Sequence, residues 1–213
     1  MSKEKLSYKV IILGDSSVGK TSLFKKIVNE RFSGNVLSTI GIDKKTLDIK
    51  INTEDKGEQE SEISLFDTAG QEKFRTLSVS FIRESKGVLM MYDITNLDSF
   101  QNIEKWLDDI KNSLGEDNNY LIILLGNKLD LVSDNIKDRE VETEDAKKLC
   151  LDNKIFWGGE CSVKDISIED LKNLFKSFIE EIYKKVGNNN DKVENSFSLK
   201  NSHIKKEKEK KCC

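Results

Sequence analysis

GDSSVGKTS, residues 14–22, lies between a mostly apolar run at 8–13 and apolar residues that repeat at helical spacing over 23–28. In this strand–loop–helix context the pattern G-x-x-x-x-G-K-[ST] indicates a loop that binds phosphate. Glycines allow a tight loop whose backbone N–H groups converge on phosphate oxygens, and the start of the following helix adds unpaired N–H groups and a partial positive charge. The stretch therefore predicts a site for a nucleoside triphosphate.

Two side chains of this loop suit the triphosphate and its metal. Lys20 is a compact cation that can reach the β- and γ-phosphates, and the hydroxyl of Thr21 suits Mg²⁺. The alternative is a glycine-containing turn that fits the pattern by chance, and the flanking strand and helix argue against it. The loop residues that we predict to bind the nucleotide are Ser17, Val18, Gly19, Lys20, Thr21 and Ser22.

Apolar runs alternate with helical patterns along the chain, which predicts an α/β fold around a mostly parallel sheet of six strands, with helices on both faces. The strands are predicted at 8–13, 42–51, 63–67, 87–93, 120–126 and 154–160. The polar segment NTEDKGEQES at 52–61 is interpreted as the connection of an antiparallel hairpin, and helices are predicted over 100–114, 143–151 and 168–186. Trp106 is interpreted as a core residue without a functional role.

The length of 213 residues suits one domain plus an appendage, and the apolar pattern stops after Val186, which predicts a domain at 1–186 and an appendage at 187–213. The appendage has seven Lys and four Asp or Glu, a net charge of +3, which leaves −6 for the domain in a chain of net charge −3. Its polar composition predicts disorder, and the only histidine, His203, lies there, which argues against a histidine base. Neither a run of ~20 apolar residues nor a signal peptide is present, so we expect a cytosolic protein.

The segment GNKLDL at 126–131 follows a predicted buried strand and suits the recognition of guanine. The carboxylate of Asp130 can accept hydrogens from N1–H and from the N2 amine of guanine. Adenine lacks that amine and would leave the buried carboxylate unpaired, which is costly. A polar turn after a strand is the alternative for this motif alone. Together with the phosphate loop, the motif predicts that Asn127, Lys128 and Asp130 bind a guanine nucleotide.

The segment DTAGQ at 67–71 stands at the end of another predicted strand. The carboxylate of Asp67 can hold Mg²⁺ through water, and the N–H of Gly70 can approach a γ-phosphate because no side chain blocks it. Gln71 is the candidate catalytic residue, since its amide could orient the attacking water. A plain strand-to-turn junction is the alternative, and it is disfavoured by the two other motifs.

Five motifs occur in order at near-family spacing: GDSSVGKTS, STIGID, DTAGQEKF, GNKLDL and ECSVK. On these residues the chain resembles Ras-type small GTPases, and within them the Rab branch, over 8 to about 186 and in the Cys pair at 212–213. The resemblance implies a P-loop NTPase G-domain fold and GTP or GDP with Mg²⁺ as ligands. It also implies slow GTP hydrolysis and a role as a switch in vesicle-mediated membrane trafficking.

The resemblance assigns further roles where the residues match. Thr39, in STIG, corresponds to the residue that coordinates Mg²⁺ beside the γ-phosphate, and Phe32 to the aromatic residue that stacks on guanine. The second guanine-contacting loop corresponds to Ser162, Val163 and Lys164, and Val163 is expected to offer its backbone N–H to the base. Cys212 and Cys213 correspond to cysteines that carry geranylgeranyl groups.

The resemblance also implies partners: an exchange factor, a GTPase-activating protein, effectors and a carrier for the prenylated protein. We expect a monomer without a nucleic-acid partner, held on the cytosolic face of an endomembrane through its lipid anchor. Lys44 stands where the family has Phe, Phe66 where it has Trp, and FIRES at 81–85 where it has YYRGA. These departures alter the patch that reads partners in the family.

Two other functions fit parts of the sequence. An ATP-dependent P-loop enzyme is disfavoured by NKLD and by the lack of a substrate-binding domain. A nucleotide-binding scaffold without turnover is disfavoured because Lys20, Thr39 and Gln71 are all intact. A GTP-dependent switch with turnover is the function that the sequence favours.

Overall fold

The computed structural model describes residues 5–28, 41–68, 75–115 and 119–186, and for 75–78 it describes the backbone alone. The strands are β1 (Leu6–Leu13), β2 (Ile42–Thr53), β3 (Gly57–Thr68), β4 (Gly87–Asp93), β5 (Leu121–Asn127) and β6 (Phe156–Glu160). The helices are α1 (Lys20–Ile27), α2 (Arg75–Ile82), α3 (Leu97–Gln101), α4 (Ile103–Leu114), α5 (Leu129–Ser133), α6 (Thr143–Asn153) and α7 (168–186). Within these residues, no helix is both long and apolar enough to cross a membrane.

The six strands form one sheet in the order β2-β3-β1-β4-β5-β6. β2 pairs antiparallel with β3, and every other neighbouring pair is parallel. This topology confirms the predicted α/β fold with a mostly parallel sheet and an antiparallel hairpin at its edge.

The central strands are buried on both faces, which is why they read as continuous apolar runs. Successive side chains of β1 point to opposite faces: Val10 and Ile12 join one apolar cluster, and Ile11 and Leu13 join the other. The first cluster includes the apolar faces of α1 and α7, and the second includes those of α4 and α6. Because β1, β3, β4, β5 and β6 are parallel, their carboxyl ends lie on the same side of the molecule.

The polar segment 52–61 is not the loop that its composition predicts. β2 continues to Thr53 and β3 begins at Gly57, so only three residues form the turn. Lys50 Nζ lies 2.9 Å from Glu58 Oε1 across the hairpin. At the edge of the sheet, backbone hydrogen bonds can extend the two strands without apolar side chains. A search for alternating apolar residues therefore misses these strand residues.

Other boundaries and elements also differ from the prediction. The helical pattern at 100–114 is interrupted at Asn102, which ends α3 and caps α4. The last strand begins at Phe156, because Lys154 has a left-handed backbone and caps α6. The short helix α5 begins at Leu129 inside the NKLD segment and ends at Ser133; the pattern of apolar residues predicts neither α5 nor α2.

Candidate nucleotide-binding site

The phosphate loop lies at the carboxyl end of β1, beside the ends of β3 and β5, where open α/β sheets bind ligands. Its backbone has positive φ angles at Gly14 (139°), Ser17 (64°) and Gly19 (106°). A Cβ atom at Gly19 would collide with the side-chain amide of Asn127, so this position accepts only glycine. Ser17 adopts its left-handed conformation at a cost of about 1–2 kcal/mol relative to a right-handed one.

Lys20, the first residue of α1, is 4% exposed. Its Nζ donates to the backbone oxygen of Asp15 at 2.6 Å, and burial lowers the pKa of the ammonium to about 8. Within the described residues it has no carboxylate at ion-pair distance. A buried cation of this kind is stabilised by an anionic ligand, which is what a phosphate would provide.

Thr21 and Asp67, both predicted at the metal, are in contact. The Thr21 hydroxyl donates to Asp67 Oδ2 at 2.6 Å. Asp67 is fully buried, and burial raises the pKa of its carboxyl to about 6. Its Oδ1 accepts no hydrogen bond from any residue that the structure describes. A buried carboxylate with an unpaired oxygen, next to a hydroxyl at a phosphate loop, fits Mg²⁺ or a water bound to it.

Asn127 joins the phosphate loop to the ECSVK segment. Its Nδ2 donates to the Val18 oxygen at 2.8 Å, and its Oδ1 accepts from the Val163 N–H at 2.9 Å. Lys26 adds bonds from α1 to the backbone oxygens of Val163 and Lys164, at 2.8 and 2.9 Å. The Val163 N–H is expected to face the base, but in the structure it donates to the side-chain oxygen of Asn127, which is buried and needs a donor.

The residues predicted to read the base lie together. Asp130 stands in the first turn of α5 with its side chain 10% exposed, and its Oδ2 lies 3.7 Å from Lys164 Nζ. Lys128 has a left-handed backbone, φ 72°, and its Nζ lies 2.7 Å from Asp93 Oδ2 at the end of β4. The Ser162 hydroxyl donates to Asp165 Oδ2 at 2.9 Å. The structure thus brings both segments that are predicted to read the base to one side of the phosphate loop.

Comparison with known proteins bears directly on this arrangement. The Ras family is matched over residues 9–184. The chain belongs to the Ras family. It is 39% identical over 170 residues to the Ras-related protein Rab7 of Drosophila melanogaster, which covers 78% of this chain and 77% of that protein. It is 34% identical over 176 residues to the Ras-related protein Rab11A of Lotus japonicus, which covers 83% of this chain and 72% of that protein.

A third relative differs in size. The chain is 35% identical over 155 residues to the human EF-hand calcium-binding domain-containing protein 4B, which covers 73% of this chain but only 20% of that protein. The Ras-family match and the Rab relatives make this chain a Rab-like small GTPase that binds guanine nucleotides, hydrolyses GTP and acts in membrane trafficking. These assignments confirm the family and the activity predicted from the motifs.

Several predicted residues of this GTPase lie outside the described residues. They are Phe32, Thr39, Gly70 and Gln71 at the nucleotide, and Cys212 and Cys213 in the appendage at 187–213. The roles of these residues stay predictions. The nucleotide- and metal-binding roles predicted for the described residues, Ser17 and Ser22 among them, stay predictions too.

Sequence reasoning also missed the contacts of Asp15, Asn102 and Trp106. Asp15 of the phosphate loop accepts hydrogen bonds from Asn102 Nδ2 and from Trp106 Nε1, at 2.6 and 2.9 Å. Trp106 therefore contacts the nucleotide-binding loop as well as the core, contrary to its interpretation as a core residue alone. The sequence does carry one sign of this contact: the indole N–H of a buried tryptophan needs a hydrogen-bond acceptor.

Proposed function

We propose that this Rab-like GTPase is a switch that holds GTP with Mg²⁺, presents a partner-binding surface in that state, and releases the partner after hydrolysis. The observation that carries the proposal is the contact between Thr21 and Asp67 beside Lys20: a hydroxyl, an incompletely paired buried carboxylate and a buried ammonium, all at the phosphate loop. A cation would pair with the second carboxylate oxygen of Asp67, and a phosphate would pair with the buried ammonium of Lys20.

The residues that would hold Mg²⁺ are Thr21, Asp67 and, by the family resemblance, Thr39. The ion would neutralise negative charge on the β- and γ-phosphate oxygens. Lys20 would bind the same phosphates, and Asp130 would select guanine. Gln71 would orient the attacking water. No arginine of this chain is assigned to the transition state, so an activating protein that supplies one would raise the rate by roughly 10³–10⁵.

Asp67→Asn tests the proposed metal site. Asparagine keeps the shape of the side chain but loses the charge that favours the cation, so we expect Mg²⁺ affinity to fall by about 10–100-fold. Native protein should release a fluorescent GDP analogue much faster when EDTA removes Mg²⁺. In Asp67→Asn, release in the presence of Mg²⁺ should already be fast, and EDTA should change it little.

Asp43→Asn is the matched control. Asp43 lies directly opposite Asp67 in the β2–β3 register and is exposed, so its loss removes the same charge without removing a proposed ligand. It should keep the native response to EDTA. If Asp67→Asn also kept that response, the proposed metal site would be wrong.

A cationic patch supports a particular kind of partner surface. Phe66 on β3 has Lys9 Nζ at 5.2 Å and Lys44 Nζ at 5.6 Å from its ring centroid. Phe81 lies beside it, with 6.0 Å between the ring centroids, and is 5.9 Å from Lys9 Nζ. Neither lysine forms an ion pair with a described residue. A surface of two ammonium groups over aromatic rings favours partners that carry carboxylates beside apolar side chains.

Lys44→Phe should change which effectors bind. The substitution removes one cation from the Phe66 ring and adds apolar area, so the preference for carboxylates should weaken. Immobilised, GTP-loaded native and variant proteins should retain different proteins from the same extract. GDP affinity should stay within about twofold, because Lys44 is exposed, lies over the Phe66 ring and is not one of the predicted ligands of the nucleotide. A large loss of GDP affinity would contradict the placement of this surface outside the nucleotide site.

The membrane anchor is the last part of the proposed function. We assign it to lipid groups on Cys212 and Cys213, as the family resemblance implies. Two lipid chains give stable anchoring, whereas one is marginal. The lysines of KKEKEKK at 205–211 add attraction to anionic lipids of about 1 kcal/mol per net basic residue near the surface. A carrier protein that shields the lipids would let the GTPase leave the membrane.

Replacing both Cys212 and Cys213 with Ser should move the protein from the membrane fraction to the cytosol without changing GDP affinity. Cys213→Ser alone keeps one chain and should give an intermediate distribution. Fractionation of cells that express each variant measures the effect. A double variant that stayed with membranes would rule out the lipid anchor.

A further inference from the structure

Asp15 links the phosphate loop to α4 through its side chain and to Lys20 through its backbone. Its Oδ2 accepts from Asn102 Nδ2 at 2.6 Å, and its Oδ1 accepts from Trp106 Nε1 at 2.9 Å. Its backbone oxygen accepts from Lys20 Nζ at 2.6 Å. One residue thus connects the start of a helix to the ammonium that is expected to bind phosphate.

The two donors are themselves held in place. Trp106 is 2% exposed and packs in the second apolar cluster, so its N–H has a fixed direction. The Asn102 Oδ1 accepts from Lys105 Nζ at 2.7 Å, which leaves the amide nitrogen directed at Asp15. Both oxygens of the Asp15 carboxylate therefore meet a donor whose position α4 determines.

A carboxylate in a phosphate-binding loop is unfavourable unless it is kept from the phosphates. At about 4 Å two unit negative charges repel by about 4 kcal/mol at the effective dielectric constant near a protein surface. Hydrogen bonds to a charged acceptor are among the stronger ones, and here two of them direct the carboxylate to α4. They also fix the peptide whose oxygen holds Lys20.

We propose that Trp106 and Asn102 are positioning residues for nucleotide retention: they hold the Asp15 carboxylate against α4, away from the nucleotide phosphates, and so keep Lys20 in place to bind them. The inference rests on the phosphate-binding role proposed for Lys20 and adds the means by which the loop tolerates its own negative charge. The two residues touch no nucleotide and act through Asp15.

Trp106→Phe is the main test, because it removes the N–H donor and keeps an aromatic ring in the core. We expect release of a fluorescent GDP analogue to accelerate by about tenfold, near the lower end of the loss expected for a hydrogen bond to a charged group. Trp157→Phe, which removes a half-buried indole from β6, should leave release within about twofold of native. Thermal unfolding with saturating GDP verifies that each variant is folded.

A double-mutant cycle separates positioning from packing. In an Asp15→Ala background there is no carboxylate to restrain, so Trp106→Phe should change release by less than about twofold there. If Trp106→Phe accelerated release by the same factor in both backgrounds, the indole would act through packing and the inference would be wrong. The inference would also be wrong if the substitution had no effect in the native background.

Asn102→Ala provides a second variant in case Trp106→Phe disturbs the core. Asn102 is half-buried and its side chain makes no capping hydrogen bond to α4, so truncation should leave the helix intact. It should accelerate GDP release in the native background and not in Asp15→Ala. If the native protein retained no GDP analogue at all, the proposed function would fail first and this inference with it.

Discussion

Asp130→Asn should convert the protein from a guanine-binding to a xanthine-binding one. The carboxylate is expected to accept hydrogens from N1–H and the N2 amine of guanine. The amide N–H groups of asparagine would face the N2 amine of guanine, which is also a donor, so no hydrogen bond forms. The 2-oxo oxygen of xanthine can accept a hydrogen bond from the same amide. Two hydrogen bonds to a charged group contribute about 1.5–3 kcal/mol each, so guanine affinity should fall by about 10²–10⁴-fold.

Competition of GDP and XDP against a fluorescent GDP analogue, or its xanthine counterpart, measures the exchange of specificity. Asp134→Asn is the control: Asp134 caps the other end of α5 and is exposed, so it should keep native specificity. Equal loss of affinity for both bases would mean that the substitution disturbs the fold. In that case Lys164, whose Nζ lies 3.7 Å from Asp130 Oδ2, would be the first group to examine.

Much of the sheet could be predicted from sequence because its strands are buried on both faces. The seven residues of β4 are all buried, and β1 is buried from Val10 to Leu13; 88–91 of β4 and 10–13 of β1 are therefore apolar without interruption. A glycine-bearing phosphate loop between β1 and α1 then determines where the ligand lies. These features depend on short-range patterns that a sequence displays directly.

The boundaries that failed depend on interactions that apolar periodicity does not record. Residues 52–53 and 57–61 are strand although they are polar, because the backbone ladder of the hairpin includes them whether their side chains are exposed or, like those of Thr53 and Ser61, buried. The break at Asn102 leaves the apolar spacing of α3 and α4 intact, so the pattern reads as one helix. Hydrogen bonding of the backbone, and not burial, sets both boundaries.

The sequence predicted which residues belong to the candidate site better than it predicted the contacts between them. The motifs identified Asn127, Lys128 and Asp67, but not that Asn127 joins Val18 to Val163 or that Lys128 pairs with Asp93. Asp15 and Trp106 are 91 positions apart and meet only in the folded protein. Such contacts follow from the strand order and the helix packing, which bring distant residues together at the carboxyl ends of the parallel strands.

Gln71→Leu should bind GTP normally and hydrolyse it far more slowly. Leucine keeps the approximate volume of glutamine and removes the amide that is expected to orient the attacking water. An activating protein raises the rate by a factor of roughly 10³–10⁵ only when that water is in line with the bond to be broken. Most of this stimulation should therefore disappear in Gln71→Leu. Single-turnover hydrolysis of bound GTP, with and without an activating protein, measures the loss.

Gln101→Leu is the matched control, because Gln101 is exposed at the end of α3 and its neighbour Asn102, not Gln101 itself, donates a hydrogen bond to the phosphate loop. It should hydrolyse GTP at the native rate. An unchanged rate in Gln71→Leu would remove Gln71 from the mechanism, and a native protein without turnover would favour a nucleotide-binding scaffold. Loss of turnover with retained GTP affinity assigns Gln71 to the chemical step, since an amide needed only for binding would weaken affinity as well.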